Sequence, residues 1–219
     1  MKKYLNVLKK CPLFFGIEDE DLLRMLGCLK AVVEKFDKKY TIFAEGTKAK
    51  YVGIILSGSA QTVQLDFYGN RSIIKNIGVS EIFGEAFACA EVDSLPVSVI
   101  ASEQCEVMFI NCSHILHTCT NNCGFHQLLI FNLMKELAIE SLKFHQRIDV
   151  TSKRTTREKL LAYLNAQSKF FGSNSFDIAF DRQELADYLE VDRSGLSVEI
   201  SKLRKEGIID CRKNHFVLL

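Results

Sequence analysis

The chain has 219 residues, of which 47% are hydrophobic and 25% charged, with 28 Lys and Arg against 27 Asp and Glu. That is enough apolar residue to build a core in one large or two modest domains, which excludes a disordered or low-complexity chain. A net charge of +1 excludes binding to nucleic acid by bulk charge.

Residues 151–219 carry 12 Lys and Arg against 10 Asp and Glu, so any nucleic-acid contact must come from local placement. Met1-Lys2-Lys3 precedes no long apolar run, and no window reaches the roughly 18 residues of a membrane span. A cytoplasmic protein with no membrane partner is expected. The eight cysteines, at 11, 28, 89, 105, 112, 119, 123 and 211, contain no CxxC pair and read as reduced thiols. No phosphate loop, GxSxG, HExxH or paired catalytic carboxylates occur, so the chain is not expected to be an enzyme or to carry a cofactor.

In chain order, residues 4–37 read as helical in two short pieces, with Pro12-Leu13-Phe14 and the set Leu22, Leu23, Met25, Leu26 and Leu29 supplying apolar faces. From Tyr40 to about Ile110 the texture changes. YTIFAEG, YVGIILSGS, AQTVQLDFYGN, RSIIKNI, VSVIAS and CEVMFI are short β-prone runs, with turn signals at Glu45-Gly46, Ser57-Gly58 and Gly69-Asn70. Strands at such spacing predict an all-β sandwich or barrel.

Residues 111–122, NCSHILHTCTNN, together with Cys123 place Cys112, His114, His117, Cys119 and Cys123 close in sequence, and thiolate and imidazole are ligands of zinc and iron. A thiol- or metal-responsive protein is one reading. The other has Ser113 capping a short helix with Ile115 and Leu116 facing inward; one helix cannot aim all five side chains at one ion, so no metal site is assigned.

Gly124 to Ile148 is the longest helical pattern. Ile130, Met134, Leu137, Ser141, Phe144 and Ile148 alternate steps of four and three, the heptad seam of a helix that pairs with a second copy. Phe131, Leu133 and Ala138 widen the stripe, so one flank can pack on the same chain. Asp149-Val150-Thr151-Ser152 breaks the pattern, and Thr155-Thr156-Arg157-Glu158 caps a new helix through Leu164. SKFFGSNSFDIAF is a loop followed by a strand.

Asp181 and Glu184 form a capping-box pair ahead of Leu185, Ala186 and Leu189. A second helix begins at Asp192, with Leu196, Ile200 and Leu203 on its apolar side. Two short helices joined by a tight turn are a helix-turn-helix. The outer face of the second carries Arg193, Ser194, Ser197, Val198, Ser201 and Lys202, a basic, hydroxyl-bearing surface suited to a major groove. After Gly207, two apolar runs flank Arg212-Lys213-Asn214-His215, which reads as a hairpin with a basic tip: a wing.

This end of the chain resembles the DNA-binding domain of the Crp/Fnr family of bacterial transcription regulators, on Arg182-Gln183-Glu184-Leu185-Ala186, Val191-Asp192-Arg193-Ser194 and the run from Leu203 to Ile208. Family members often have Gly where this chain has Glu190, and Glu and Arg where it has Ser194 and Val198. The resemblance extends over nearly the whole chain. It implies an α+β fold: a cyclic-nucleotide-binding-like β-roll, double-stranded and jelly-roll-like, over 1–122, a dimerisation helix and hinge over 123–150, and a winged helix-turn-helix over 151–219.

It further implies a homodimer on inverted-repeat double-stranded DNA, with RNA polymerase as a candidate partner; of the family's base-reading set Arg193 and Ser197 carry over, while Thr156, Arg182, Ser194, Lys202, Arg212 and Lys213 are expected as DNA contacts from their places at helix starts, on the outer helix face and at the wing tip. The family's ligand turn is present as Phe83-Gly84-Glu85-Ala86. Leu95-Pro96, however, stands where the phosphate-binding Arg and its hydroxyl neighbour would be, and Ala138 and Ile139 stand where hydroxyls reach the adenine in cyclic-AMP binders. Burying a cyclic phosphate without its cation costs several kcal/mol, so an effector other than a cyclic nucleotide is expected. The iron–sulphur members carry a tight N-terminal cysteine cluster; here that region has only Cys11 and Cys28.

Overall fold

The computed structural model describes residues 1–65, 71–117, 124–178 and 180–219. They form two compact units, Met1–Ile139 and Glu140–Leu219.

The first unit opens with α1 (Leu5–Leu8), a 3-10 turn at Pro12–Phe14 and α2 (Asp19–Cys28). Asp19, Glu20 and Asp21 fill the first turn of α2, where carboxylates oppose the positive end of the helix dipole. Leu22, Met25 and Leu26 recur at helical spacing and are buried. The helical reading of residues 4–37 stops short here: the chain turns at Lys30, with φ +50, and Val32–Phe36 is a strand, β1. Its β-branched pair and its pairing with the last strand of the unit override any helical preference.

Seven more strands follow: β2 (Thr41–Phe43), β3 (Tyr51–Ser57), β4 (Ala60–Leu65), β5 (Arg71–Ile77), β6 (Ile82–Phe83), β7 (Ser98–Ala101) and β8 (Cys105–Asn111). Between β6 and β7 lies α3 (Glu85–Cys89), and after β8 come α4 (Cys112–Leu116) and α5 (Gly124–Thr151). The strands make two antiparallel sheets, β1-β8-β3-β6 and β2-β7-β4-β5, as the β-prone runs predict. Position 70 of the Gly69-Asn70 turn signal, like position 69, lies outside the described residues.

Strand β3 of the first sheet is buried on both faces, which is why it reads as a continuous apolar run. Val52, Ile54, Leu56, Met108 and Ile110 pack with Leu8, Phe14, Met25 and Leu26 of the N-terminal helices and with Leu129 and Leu133 of α5. Ile55 and Val107 face the other way, into a core with Phe83, Val99 and Ala101. Gly53 is required there: a Cβ on it would lie 2.2 Å from the Phe83 ring.

The second unit is one core built by α6 (Thr156–Phe171), α7 (Arg182–Leu189), α8 (Arg193–Lys205) and the sheet β10-β11-β9, with β9 at Ser175–Asp177, β10 at Ile209–Arg212 and β11 at His215–Leu218. Two differences from the sequence reading stand out. Helix α5 continues through Asp149 and Val150 to Thr151, and Val150 is buried in this core, so the expected break is helical; α6 runs seven residues past Leu164 to Phe171. Gly172, at φ +62, ends α6 in the left-handed conformation that glycine adopts without strain.

Candidate nucleic-acid interface and effector groove

Both helices of the turn are fixed by the caps the sequence offers. The Asp181 side chain accepts from the Glu184 N–H at 2.8 Å while Glu184 accepts from the Asp181 N–H at 2.7 Å. Asp192 accepts from the Gly195 N–H at 2.9 Å and from the Ser194 hydroxyl, and these bonds hold its carboxyl below the usual range, the Ser194 contribution being the larger. Between the helices Glu190 occupies the left-handed region at φ +53, the position where the chain departs from Gly. The Lys159 ammonium donates to the carbonyls of Leu189 at 3.1 Å and Glu190 at 3.3 Å, closing the exposed C-terminus of α7. Arg157 bridges Glu199 at 3.4 Å and Glu206, tying α6 to both ends of the second half of α8.

Leu196, Ile200 and Leu203 are buried, and that phase turns Arg193, Ser194, Ser197, Val198, Ser201 and Lys202 outward. The Ser197 and Ser201 hydroxyls donate to the carbonyls four residues back, Arg193 at 3.0 Å and Ser197 at 2.9 Å, which leaves their lone pairs facing outward. Lys202 pairs with Glu199 at 3.5 Å. Arg212 and Lys213 are exposed at the hairpin tip, Lys213 with φ +55. Arg182 is half-buried: its guanidinium donates to the Lys213 carbonyl at 3.2 Å and lies 5.6 Å over the Phe216 ring, so it braces the wing against the start of α7. Thr156, half-buried, is the first residue of α6, behind the Thr155 capping box.

Along α5, the inward side is Leu129 and Leu133, with Leu128 and Leu137 packed on the same core. Asn132 is also buried and its amide donates to the carbonyls of Leu13 at 3.1 Å and Phe15 at 2.8 Å. Met134, Phe144 and Ile148 of the heptad are 64%, 55% and 60% exposed, and Ser141 is exposed. Ile130 is half-buried, while Phe131 and Leu142, outside the heptad, are 61% and 68% exposed. The apolar stripe left open is therefore rotated toward Phe131 and Met134, away from Leu137.

The first unit has an open groove of about 680 Å³ at one end of its two sheets. Its walls hold Phe36, Tyr40, Phe43, Tyr51 and Phe109, whose rings contact one another in a chain with centroid distances of 5.4 to 6.4 Å. Lys30, Lys48 and Lys50 lie at its edge with Glu34; Lys48 pairs with Asp93 at 2.6 Å. Of the eight residues marked by the ligand-turn comparison, Gly84 and Leu95 line this groove.

The others are placed elsewhere. Phe83 is a core plug between Gly53 and Phe43; Glu85 is buried as the first residue of α3; Ala86, Pro96 and Ala138 are exposed and Ile139 is half-buried. Gly84, at φ +78, has no room for a side chain, since a Cβ would be 2.7 Å from Phe43. Leu95 is buried, its N–H bonded to the Thr47 carbonyl and its carbonyl to the Gly46 N–H, so the position of the absent arginine is an apolar wall. The groove aromatics escape sequence reasoning because they come from β1, β2, β3 and β8; the alternation of Val32, Glu34 and Phe36 was the available signal.

The cysteine and histidine cluster is pulled apart. The Asn111 side chain, rather than Ser113, caps α4, accepting from the Ser113 N–H at 3.0 Å; an Asn at the last strand position can reach the free N–H groups of the first turn. Ile115 is buried but Leu116 is 41% exposed. The Nδ1 atoms of His114 and His117 donate to the carbonyls of Leu29 at 3.0 Å and Ser113 at 2.8 Å. Cys119 and Cys123 lie outside the described residues. Among the described residues no three His, Cys, Asp or Glu side chains converge as metal ligands, and no helix is long and apolar enough to cross a membrane.

Two family models match the chain, the cyclic nucleotide-binding domain over residues 33–122 and the Crp-like helix-turn-helix domain over residues 158–219. Among solved structures, CprK in complex with OCPA matches with a TM-score of 0.65 at 11% identity, covering 89% of this chain and 88% of that one. The c-di-GMP-responsive global regulator CLP of Xanthomonas campestris matches with a TM-score of 0.58 at 18% identity, over 90% of this chain and 98% of its own. The catabolite activator protein of Thermus thermophilus gives 0.51 at 20% identity, over 95% and 93%. No curated protein sequence matches the chain significantly.

Proposed function

Because the chain belongs to the Crp/Fnr family of transcription regulators, we propose that it acts in the cytoplasm as a homodimer that binds inverted-repeat DNA under the control of a small effector other than a cyclic nucleotide. The observation that carries the DNA reading is the outward face of α8: a helix capped at Asp192, seated on Leu196, Ile200 and Leu203, with Arg193, Ser194, Ser197 and Lys202 exposed on the side that would enter a major groove. Arg193 is the base reader, since it is exposed and, among the described residues, enters no ion pair. Lys213 and Arg212 reach phosphate from the wing, Arg182 holds the wing there, and Thr156 is a further backbone contact.

The exposed stripe of α5 supports dimerisation over residues 123–150, between a sensor over 1–122 and a DNA-binding domain over 151–219; RNA polymerase is the partner this assembly would present itself to. Leu95 in the groove wall supports an effector that brings no buried phosphate. Selection of bound sequences from a random library tests the reading. The expected motif is two-fold symmetric, with half-sites about one helical turn apart. With Arg193→Ala, preference at one position per half-site should relax by roughly 5- to 150-fold. Recovery of no symmetric motif, or an unchanged motif for the variant, removes symmetric docking or Arg193 from the account.

A further inference from the structure

Cys89, the last residue of α3, and Cys112, the first of α4, lie 23 residues apart in sequence and meet with their Sγ atoms 3.4 Å apart. We propose that this pair is an oxidation site: a hydroperoxide converts it to an intramolecular disulfide within the sensor unit. A disulfide needs an S–S distance of about 2.05 Å, so the atoms must close by about 1.4 Å, a shift side-chain rotation can supply. Cys89 is half-buried and reachable, and Cys112 is buried behind it.

The chemistry is asymmetric in the same sense. The hydrogen bond between the two sulfurs lowers the Cys89 thiol from its ordinary value; that bond, followed by burial, raises Cys112. Cys89 is thus the attacking sulfur and Cys112 the resolving one, the arrangement of a peroxide-sensitive thiol beside its partner. The Cys89 thiolate attacks the O–O bond, forming S–O and expelling hydroxide or alkoxide, which takes a proton. The Cys112 sulfur loses its proton and attacks the Cys89 sulfenic sulfur, forming S–S and expelling the oxygen as water. With hydrogen peroxide, two thiols and one peroxide give one disulfide and two waters. Elsewhere, burial pushes Cys11 up to about 12 and raises Cys105, so these thiols are poor competitors. The bond would clamp the end of α3 to the start of α4. Gly84 is the N-cap of α3, and Asn111 and His114 lie on either side of Cys112; all three line the aromatic groove, so oxidation would fix part of its wall.

The bond is read without reference to DNA, so its failure and the failure of the regulator reading are separable. Reduced full-length protein is treated with one equivalent of hydrogen peroxide, alkylated, and digested without reduction by a protease that cuts after Glu. Cleavage after Glu85, Glu91, Glu106 and Glu136 leaves Cys89 alone on residues 86–91 and Cys112 with Cys119 and Cys123 on residues 107–136. The expected result is an intact-mass loss of about 2 Da per chain, read before alkylation, and a crosslink between these fragments that disappears in Cys112→Ser. In Cys112→Ser, dimedone should label Cys89; in Cys89→Ser, Cys112 should stay unlabelled. A crosslink that survives in Cys112→Ser, one between two chains, or no crosslink at all overturns the proposal. Labelling of Cys112 in place of Cys89 overturns the assigned roles.

Discussion

Met134 and Leu137 lie one turn apart on α5 and belong to the same heptad seam, yet the fold treats them differently, which makes their replacement by Glu a sharp test of how the helix pairs. Met134 is 64% exposed, whereas Leu137 packs against the core of the first unit. Full burial of such a side chain contributes about 1.5–3 kcal/mol. Covering the exposed part of Met134 therefore contributes about 1–2 kcal/mol per chain and about 2–4 kcal/mol per dimer. At about 1.4 kcal/mol per tenfold, Met134→Glu should weaken the dimer about 30- to 700-fold, before the cost of burying two carboxylates.

It should leave folding intact. Leu137→Glu should instead place a carboxylate against apolar side chains and destabilise the first unit by several kcal/mol. Sedimentation velocity over a concentration series, with urea unfolding of each variant, separates the cases. A Met134→Glu protein that dimerises like the wild type refutes the outward stripe; a Leu137→Glu protein that stays folded with unchanged stability refutes the inward one.

Cyclic AMP and cyclic GMP at millimolar concentration should give no thermal shift, because Leu95 offers an apolar wall to a phosphate; a micromolar dissociation constant by calorimetry would sink this. Losing Lys213 should weaken binding to all DNA sequences alike and reduce the slope of log affinity against log salt by about 1, measured by fluorescence anisotropy. Glu190→Gly should stabilise the protein: the left-handed conformation costs a non-glycine residue about 1–2 kcal/mol, and the extra freedom of unfolded Gly takes back about 0.4–1 kcal/mol. The exposed Glu190–Arg147 pair, at 3.7 Å, adds little on the other side. A lower urea midpoint for Glu190→Gly would count against strain at that turn.

The helix-turn-helix is legible in the sequence because its signals are local: Asp181 with Glu184, and Asp192, fix the helix starts, and the apolar spacing of Leu196, Ile200 and Leu203 fixes the phase of the second helix. The strands of the β-roll are legible for the same reason, apart from AVVEKF, which pairs with the distant β8, and the two-residue β6 at Ile82–Phe83. Long-range contact also decides what sequence could not. A heptad gives a period but two candidate phases on α5, and the packing of Leu129 and Leu133 chooses between them. The groove draws on residues from Lys30 to His114, and the Cys89–Cys112 pair has no motif, since antiparallel pairing, not spacing, brings its ends together.

The aromatic groove also gives the protein an optical handle. The chain has no tryptophan and six tyrosines, and two of the six, Tyr40 and Tyr51, stand exposed in the groove wall at 59% and 45%. In most proteins tyrosine emission is lost by energy transfer to indole; here no indole exists to collect it. A molecule that settles against those rings would change their emission and their near-ultraviolet dichroism directly, so occupancy can be followed on unlabelled wild-type protein.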